Sequence, residues 1–383
     1  MKKTNLFSTN DTMYLNMKNE QHQLINDSQT IIDLCSKANL AGVVGLDTEF
    51  MREKAYYAEL CLIQLSIQNE YFLIDAIALN KDDDAFHCLA ELISSSKIVK
   101  IIHSSSQDVE VLSQFFNIKP RAVFDTQVAA GFCGYDGQIG YANLVMAVCD
   151  VELDKSQTRT NWLQRPLSQQ QLDYAVNDVV YLQTLYEKFV DELSHLQRQE
   201  WFAEECELIV QSSIDNQDPD KAYRRMNGSH LPLKNQHLLF FLSSLREQNA
   251  QSSNKPRPWI LKDADIYEIA NALPNNHQAL FSLDVSAGFV KRNADNIIQF
   301  VLDIEDKPKM LWPAVKPFTH EQKAQVKKCS LKLSEISENT GVSRNLIANR
   351  KDIESYISGR GARFEHGWRA QLVGDELSSF LTF

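Results

Sequence analysis

The chain has 383 residues, 44% of them hydrophobic and 23% charged, with a formal net charge of −11; that length asks for two or three domains, not one core. These are the proportions of a soluble globular protein, and no long apolar run of membrane-spanning length is present. Its 7 cysteines stand singly, without a CxxC pair, a pattern that speaks for a reducing cytoplasm and against a zinc site or a disulfide framework.

The first 24 residues are polar, and Lys2-Lys3 are followed by no apolar stretch. They are therefore expected to form a flexible lead-in, not a signal peptide. "GVVGLDTEFMRE" (Gly42–Glu53) reads as a first strand over 43–50. "LCLIQLSIQNEYFLIDA" (Leu60–Ala76) holds two alternating apolar runs broken near Gln68-Asn69-Glu70, the pattern of a hairpin. A helix is expected around Asp84–Ser95, a strand over Lys97–His103, and a helix from about Ser105 to Phe116, with Val109, Leu112, Phe115 and Phe116 at helical spacing. Strand–helix alternation after an antiparallel hairpin indicates an α/β domain with a mixed sheet.

From Gly140 onward the pattern is helical. Ser168 with Gln171 three residues later forms a capping box, and Leu172, Ala175, Val176, Val179, Val180, Leu182 and Leu185 continue one apolar face past Asp178. "SSIDNQDPDKAY" (Ser212–Tyr223) reads as a linker. Beyond it lie two helical segments separated by "DIEDKPKMLWPAVKPFTHE". Each has the order amphipathic helix, polar loop, short helix, and together they read as a degenerate repeat of one module.

Charge is unevenly spread. Residues 41–190 hold 11 Lys+Arg against 20 Asp+Glu, 221–300 hold 10 against 6, and 321–383 hold 10 against 8. An acidic first half joined to mildly basic later segments suits a metal-dependent catalytic domain with polyanion-binding modules, although uneven charge alone is equally compatible with an ordinary acidic protein.

The chemistry is carried by acids. Asp47 and Glu49 are one residue apart on a strand, so their side chains share a face and repel, unless a cation sits between them or one takes up a proton. Asp108, in "HSSSQDVEVL", lies just inside a helix. Tyr174 and Asp178, in "YAVND", are four apart on another helix and face one point. Singly each has a bland reading: a strand acid, a first-turn acid favoured by the helix dipole, an aromatic beside a solvated acid. Together they are what two-metal phosphodiester hydrolysis requires, with carboxylates holding divalent cations and a tyrosine hydroxyl orienting the attacking water.

"LDTEF", "HSSSQDVEVL" and "YAVNDVVYL" resemble the three motifs of the DEDD superfamily of 3′–5′ exonucleases, in its tyrosine branch. "TEFMREKAYYAELCLIQL", "FDTQVAAGFCG", "LDKSQTRTNWLQRPLS" and "LPLKNQHLLFFLSSLREQNAQSSNKPRPWILKDADIYEIA" extend the resemblance to the ribonuclease D family, from about residue 25 to the C-terminus. The helical modules resemble HRDC domains, a nucleic-acid-binding module, the second more loosely. The resemblance implies a 3′–5′ exoribonuclease that releases 5′-mononucleotides, with tRNA precursors as substrate. It further implies two divalent metal ions (Mg²⁺ or Mn²⁺) on Asp47, Glu49, Asp108 and Asp178, and Tyr174 positioning the water. Gln107 stands where relatives often carry an acid.

For substrate contacts, Lys155, Arg159, Trp162 and Arg165 either grip the RNA 3′ end or form a loop whose Trp162 docks on the core. Phe50 wedges against the terminal base or packs in the core. His103 begins the second motif and Gln107 lies within it, and the His103 ring has the alternative of satisfying a buried backbone group. Arg224, Arg225, Lys255, Arg257, Lys262, Lys291 and Arg292 are either a phosphate-facing patch or scattered solvated charges.

The expected architecture is an RNase H-like α/β exonuclease domain (25–211, mixed sheet with flanking helices) followed by two small all-α HRDC-like domains (212–302 and 303–383). The expected protein is a cytoplasmic monomer acting on RNA and not on membranes. Two rival functions are a DNA-directed exonuclease of the same superfamily and a non-catalytic RNA-binding scaffold.

Overall fold

The computed structural model describes residues 24–153, 160–304, 311–312 and 317–380, side chains being described as far as 373. The chain divides into two compact units: one runs up to Met51 and resumes over Leu60–Glu207, the other holds Arg52–Glu59 and Leu208–Phe383.

The first unit is built on a six-stranded sheet. Its strands are β1 (Leu24–Ile25), β2 (Val43–Met51), β3 (Glu59–Ile67), β4 (Glu70–Asp75), β5 (Val99–Ile102) and β6 (Val123–Asp125), in the order β1-β4-β3-β2-β5-β6. β3 and β4 are antiparallel with Leu62 opposite Asp75 and Ile67 opposite Glu70, whereas β2–β5, β5–β6 and β1–β4 are parallel. The sheet is thus mixed, with helices flanking it. Gln68 and Asn69 both carry positive φ (51° and 65°), so the hairpin closes through two left-handed residues, a geometry whose twist matches the strands it joins.

β2 sits between β3 and β5 and follows helix α1 (Ser28–Ala41), which Asp27 caps and which ends on left-handed Gly42. Gly45 of β2 lies so close to its neighbours that an added Cβ would stand 2.2 Å from Ser66 Oγ and 3.1 Å from Leu182 Cβ. The helices that follow in this unit are α2 (Asp84–Ser94), α3 (Ser106–Phe116), α4 (Thr126–Phe132), α5 (Tyr141–Cys149), α6 (Gln169–Val180) and α7 (Leu182–His195), of which α3, α6 and α7 approach β2. α6 opens on the capping box of Ser168 and Gln171. The apolar face foreseen across Asp178 is real but belongs to two helices. They meet at Tyr181, whose N–H donates to the Tyr141 hydroxyl at 3.2 Å.

Two local readings change. The strand expected over Lys97–His103 is limited to Val99–Ile102, because Asp125 captures the backbone that follows it, as described below. "SSIDNQDPDKAY" is not a free linker. Its start completes helix α8 (Gln199–Asp215) and its end lies in a 3₁₀ segment, Pro219–Arg225, capped by Asp218.

In the second unit, α9 (Leu233–Ser253), the four-residue α10 (Arg257–Ile260), α11 (Asp263–Ala272), α12 (His277–Phe281) and α13 (Ala287–Leu302) enclose a core of Leu238, Leu239, Leu242, Ile266, Ile269, Phe289 and Ile297. α14 (His320–Thr340), α15 (Arg344–Ile347) and α16 (Arg350–Ile357) repeat the order of α9, α10 and α11, again a 21-residue helix, a four-residue helix and a shorter one. Tyr56, from the short Arg52–Glu59 segment, is part of the α9–α13 core. None of the described helices is long and apolar enough to cross a membrane.

Candidate active site

Asp47 and Glu49 emerge on one side of β2 because strand residues two apart share a face. Asp178 arrives from α6, which packs on β2. Asp47, Glu49 and Asp178 each offer a carboxylate oxygen, and these oxygens lie within 4.8 Å of one another. Asp108 occupies the third position of α3 and accepts a 2.5 Å hydrogen bond from the Thr48 hydroxyl of β2.

The turn that carries Asp108 is held by Asp125, at the end of β6. Its carboxylate accepts from the Ser104 N–H (3.1 Å), the Ser105 N–H (2.7 Å), the Ser105 hydroxyl (2.8 Å) and the Gln127 N–H (2.9 Å). These donors end β5, hold Ser104 at φ 59° and aim α3 at the cluster. Neither Thr48 nor Asp125 was marked as functional in the sequence. Asp125 left a legible trace, an acid at a strand end that opens a helix and caps it. Thr48 left none.

Electrostatics set this cluster apart. Burial, then repulsion from Asp108, Asp178 and Glu49, holds the Asp47 carboxyl well above its ordinary range. Glu49 is pushed up to about 9 by burial and by Asp178 and Asp108. Asp108 rises to about 7 through burial, with the Thr48 hydroxyl opposing the rise, and Asp178 rises to about 7 through burial, opposed by its hydrogen bond with Tyr174. Four such acids cannot all be ionised at neutral pH among protein groups alone. Carboxylate oxygens clustered this tightly, with their charge uncompensated, are the donor set that a hard divalent cation takes. Gln64 of β3 adds a weak 3.4 Å hydrogen bond to Asp47, and its own buried Oε1 has no partner among the described residues.

The other candidates separate by environment. Phe50 is half-buried beside Glu49, and Gln107 is exposed next to Asp108. The His103 ring is engaged on both sides, Nδ1 with the Thr126 hydroxyl (2.9 Å) and Nε2 with the Ile139 carbonyl (3.0 Å). Burial holds it below its ordinary value, hence neutral, so one nitrogen donates and the other accepts. Trp162 is 2% exposed and packs on Tyr174 with ring centroids 6.1 Å apart. Arg165 clamps Asp75 through Nε (2.9 Å) and Nη2 (2.6 Å) and donates to the Cys61 carbonyl. This pair therefore braces the entry to α6. Lys155 and Arg159 lie outside the described residues. Tyr141, unmarked in the sequence, is half-buried, and desolvation of its hydroxyl followed by the Asp178 charge raises that hydroxyl well above the usual phenol range.

Residues 22–194 match the family model of a 3′–5′ exonuclease, and residues 237–301 that of an HRDC domain. The chain is 32% identical to a ribonuclease D of Zymomonas mobilis over 368 residues, covering 93% of both chains. It is 31% identical to a ribonuclease D of Sphingobium indicum, covering 92% of both. Among solved structures it resembles that of Escherichia coli RNase D, described as an exoribonuclease involved in structured RNA processing. The TM-score is 0.79 and the identity 26%, over 94% of this chain and 99% of that one.

Proposed function

This chain belongs to the ribonuclease D family and is a 3′–5′ exoribonuclease, and from that premise we propose how its residues do the work and on what RNA. Asp47, Glu49, Asp108 and Asp178 hold two divalent cations, Mg²⁺ or Mn²⁺. The observation that carries this reading is the convergence of the Asp47, Glu49 and Asp178 oxygens within 4.8 Å, with Asp108 beside them. When bound, such cations activate a water and stabilise the leaving oxygen of an in-line displacement.

The protein's own groups do the rest. Tyr174, one turn before Asp178 on α6 and hydrogen-bonded to it, is placed to orient the attacking water. Water adds to the phosphorus of the last phosphodiester and the 3′ oxygen of the penultimate nucleotide leaves, so the released nucleotide keeps the phosphate on its 5′ side. Phe50 and Gln107, which border the acids, are placed to touch the terminal nucleotide. Thr48 and Asp125 act at one remove, by orienting Asp108. The substrates are 3′-extended RNAs, tRNA precursors foremost, and the protein acts as a monomer in the cytoplasm.

The test is incubation of 3′-extended tRNA with and without Mg²⁺ or Mn²⁺, resolving products to single nucleotides, alongside Asp178→Asn. Stepwise shortening with release of 5′-mononucleotides, abolished by chelator and by Asp178→Asn in a folded protein, is expected. Near-wild-type hydrolysis by that variant would overturn the ligand assignment. Internal cuts, or equal trimming of DNA of the same sequence, would overturn the substrate assignment.

A further inference from the structure

Strand β3 is buried from Leu60 to Ile67, and within that run only Gln64 and Ser66 are polar. Strand residues two apart share a face, so both polar side chains point the same way. Gln64 is 0% exposed, and a buried amide destabilises a core unless partners meet it. One partner does. Gln64 Nε2 donates to Asp47 Oδ2 at 3.4 Å, from the strand beside the one that bears the acid.

The other end of the amide is left over: Gln64 Oε1 is buried without a partner among the described residues. Turning the amide over would gain nothing, because its oxygen would then face the Asp47 carboxylate, and both are acceptors. Asp47 therefore sets the orientation, and the fold carries an unpaired acceptor to keep it. Leucine or methionine would fill the position with no orphaned atom, as Leu62 does two residues earlier. An unsatisfied buried group of this kind calls for a purpose other than packing.

Two other acids are met in the same way: the Thr48 hydroxyl donates to Asp108 at 2.5 Å, and Tyr174 is hydrogen-bonded to Asp178. Three acids thus each receive a neutral donor, from β2, α6 and β3. We propose that Gln64 is a positioning residue, whose amide fixes the rotation of the Asp47 carboxylate before a cation reaches it. The proposal rests on the reading of Asp47 as a metal ligand. An N–H bonds a full carboxylate charge more strongly than a neutral acceptor, so the amide favours the form of Asp47 that coordinates. A ligand already held by a neighbour also has less freedom to lose on coordination.

The test is isothermal titration calorimetry of Mn²⁺ into the full chain without RNA. Gln64→Met keeps the length of the side chain and removes the donor together with the orphaned oxygen. It should melt cooperatively in EDTA, no lower than wild type, and bind Mn²⁺ about tenfold or more weakly. Gln64→Asn retains an amide but draws it back from Asp47, and should lose affinity to the same extent. Ser66→Ala removes the other polar group of β3, 4% exposed and also unpartnered among the described residues; it should bind Mn²⁺ as wild type does. In RNA hydrolysis by Gln64→Met, the Mn²⁺ concentration for half-maximal rate should rise by the factor seen in binding, with KM for RNA unchanged. A role confined to packing would leave that metal requirement where it is.

Wild-type Mn²⁺ affinity in either Gln64 variant would overturn the proposal. So would an equal loss in Ser66→Ala, since any softening of β3 would then suffice. Failure of both Gln64 variants to fold would overturn it too, because the side chain would then hold the sheet and not the acid. Asp47→Asn separates the two levels. If wild type binds Mn²⁺ and Asp47→Asn does not, an unchanged Gln64→Met removes only the positioning role. If Asp47→Asn binds as wild type does, the ligand assignment falls as well.

Discussion

Glu49→Gln is expected to stabilise the metal-free protein while destroying its activity. Glu49 titrates near 9 in the folded chain against an ordinary 4.5. A carboxyl whose pKa is raised by folding binds more protons folded than unfolded, so stability falls as pH rises from 4.5 through 9. Each pH unit in that window removes about 1.4 kcal/mol per fully affected group. Between pH 4.5 and 7 the loss is roughly 3 kcal/mol, or on the order of 2 once the part of Glu49 still open to water is discounted. Glutamine keeps the shape and carries no charge, so the variant escapes this loss. In EDTA, thermal melts should therefore coincide near pH 4.5, with the variant several degrees above wild type at pH 8. Added Mg²⁺ or Mn²⁺ should raise the melting temperature of wild type far more than that of the variant, and RNA hydrolysis by the variant should fall by at least about a hundredfold. A variant that melts below wild type in EDTA at pH 8, or that hydrolyses RNA at near-wild-type rate, would refute the account of the cluster as repelling acids offset by cations.

Tyr174→Phe removes the hydroxyl beside Asp178; kcat should fall by about a hundredfold with KM for RNA little changed, measured by single-turnover against steady-state kinetics. Glu247→Ala leaves Arg225, Arg257 and the Tyr56 hydroxyl, all now bonded to that carboxylate, without their acceptor. It should destabilise the second unit by about 3–5 kcal/mol in urea melts followed by circular dichroism. Gly45→Ala drives a methyl against Ser66 Oγ, 2.2 Å from the added Cβ, on the strand that bears the acids. A loss of about 1–3 kcal/mol is expected, together with weaker metal-induced stabilisation.

What could be read from the sequence was whatever depends on neighbours along the chain. The alternation in "LCLIQLSIQNEYFLIDA" and its break at Gln68-Asn69 placed the β3–β4 hairpin, because strand faces repeat every two residues. Ser168 and Gln171 marked the start of α6, because a capping box closes over three residues. Asp47 and Glu49 on one face, and Tyr174 one turn from Asp178, followed from the same local periods. These patterns, with their family resemblance, were enough for the nuclease fold and for singling out the acids that the structure gathers.

The tertiary structure decided what depends on partners distant in the chain. Tyr56 and Glu247 are 191 residues apart, so nothing local announces that Arg52–Glu59, directly after β2, joins the core of the helical unit. α9 hides its inner face from any periodicity count, because it buries Asn235, Gln236, Ser243, Arg246 and Glu247 beside its leucines. Such groups are buried only where acceptors and counter-charges from other elements meet them. Trp162 and Arg165 read equally well as an RNA grip or a docked loop, and only the folded chain shows the contacts they make, with Tyr174 and with Asp75. The protonation of the acid pair is likewise a property of the fold: Asp47 and Glu49 supply the charges, but burial beside Asp108 and Asp178 is what keeps them from ionising together.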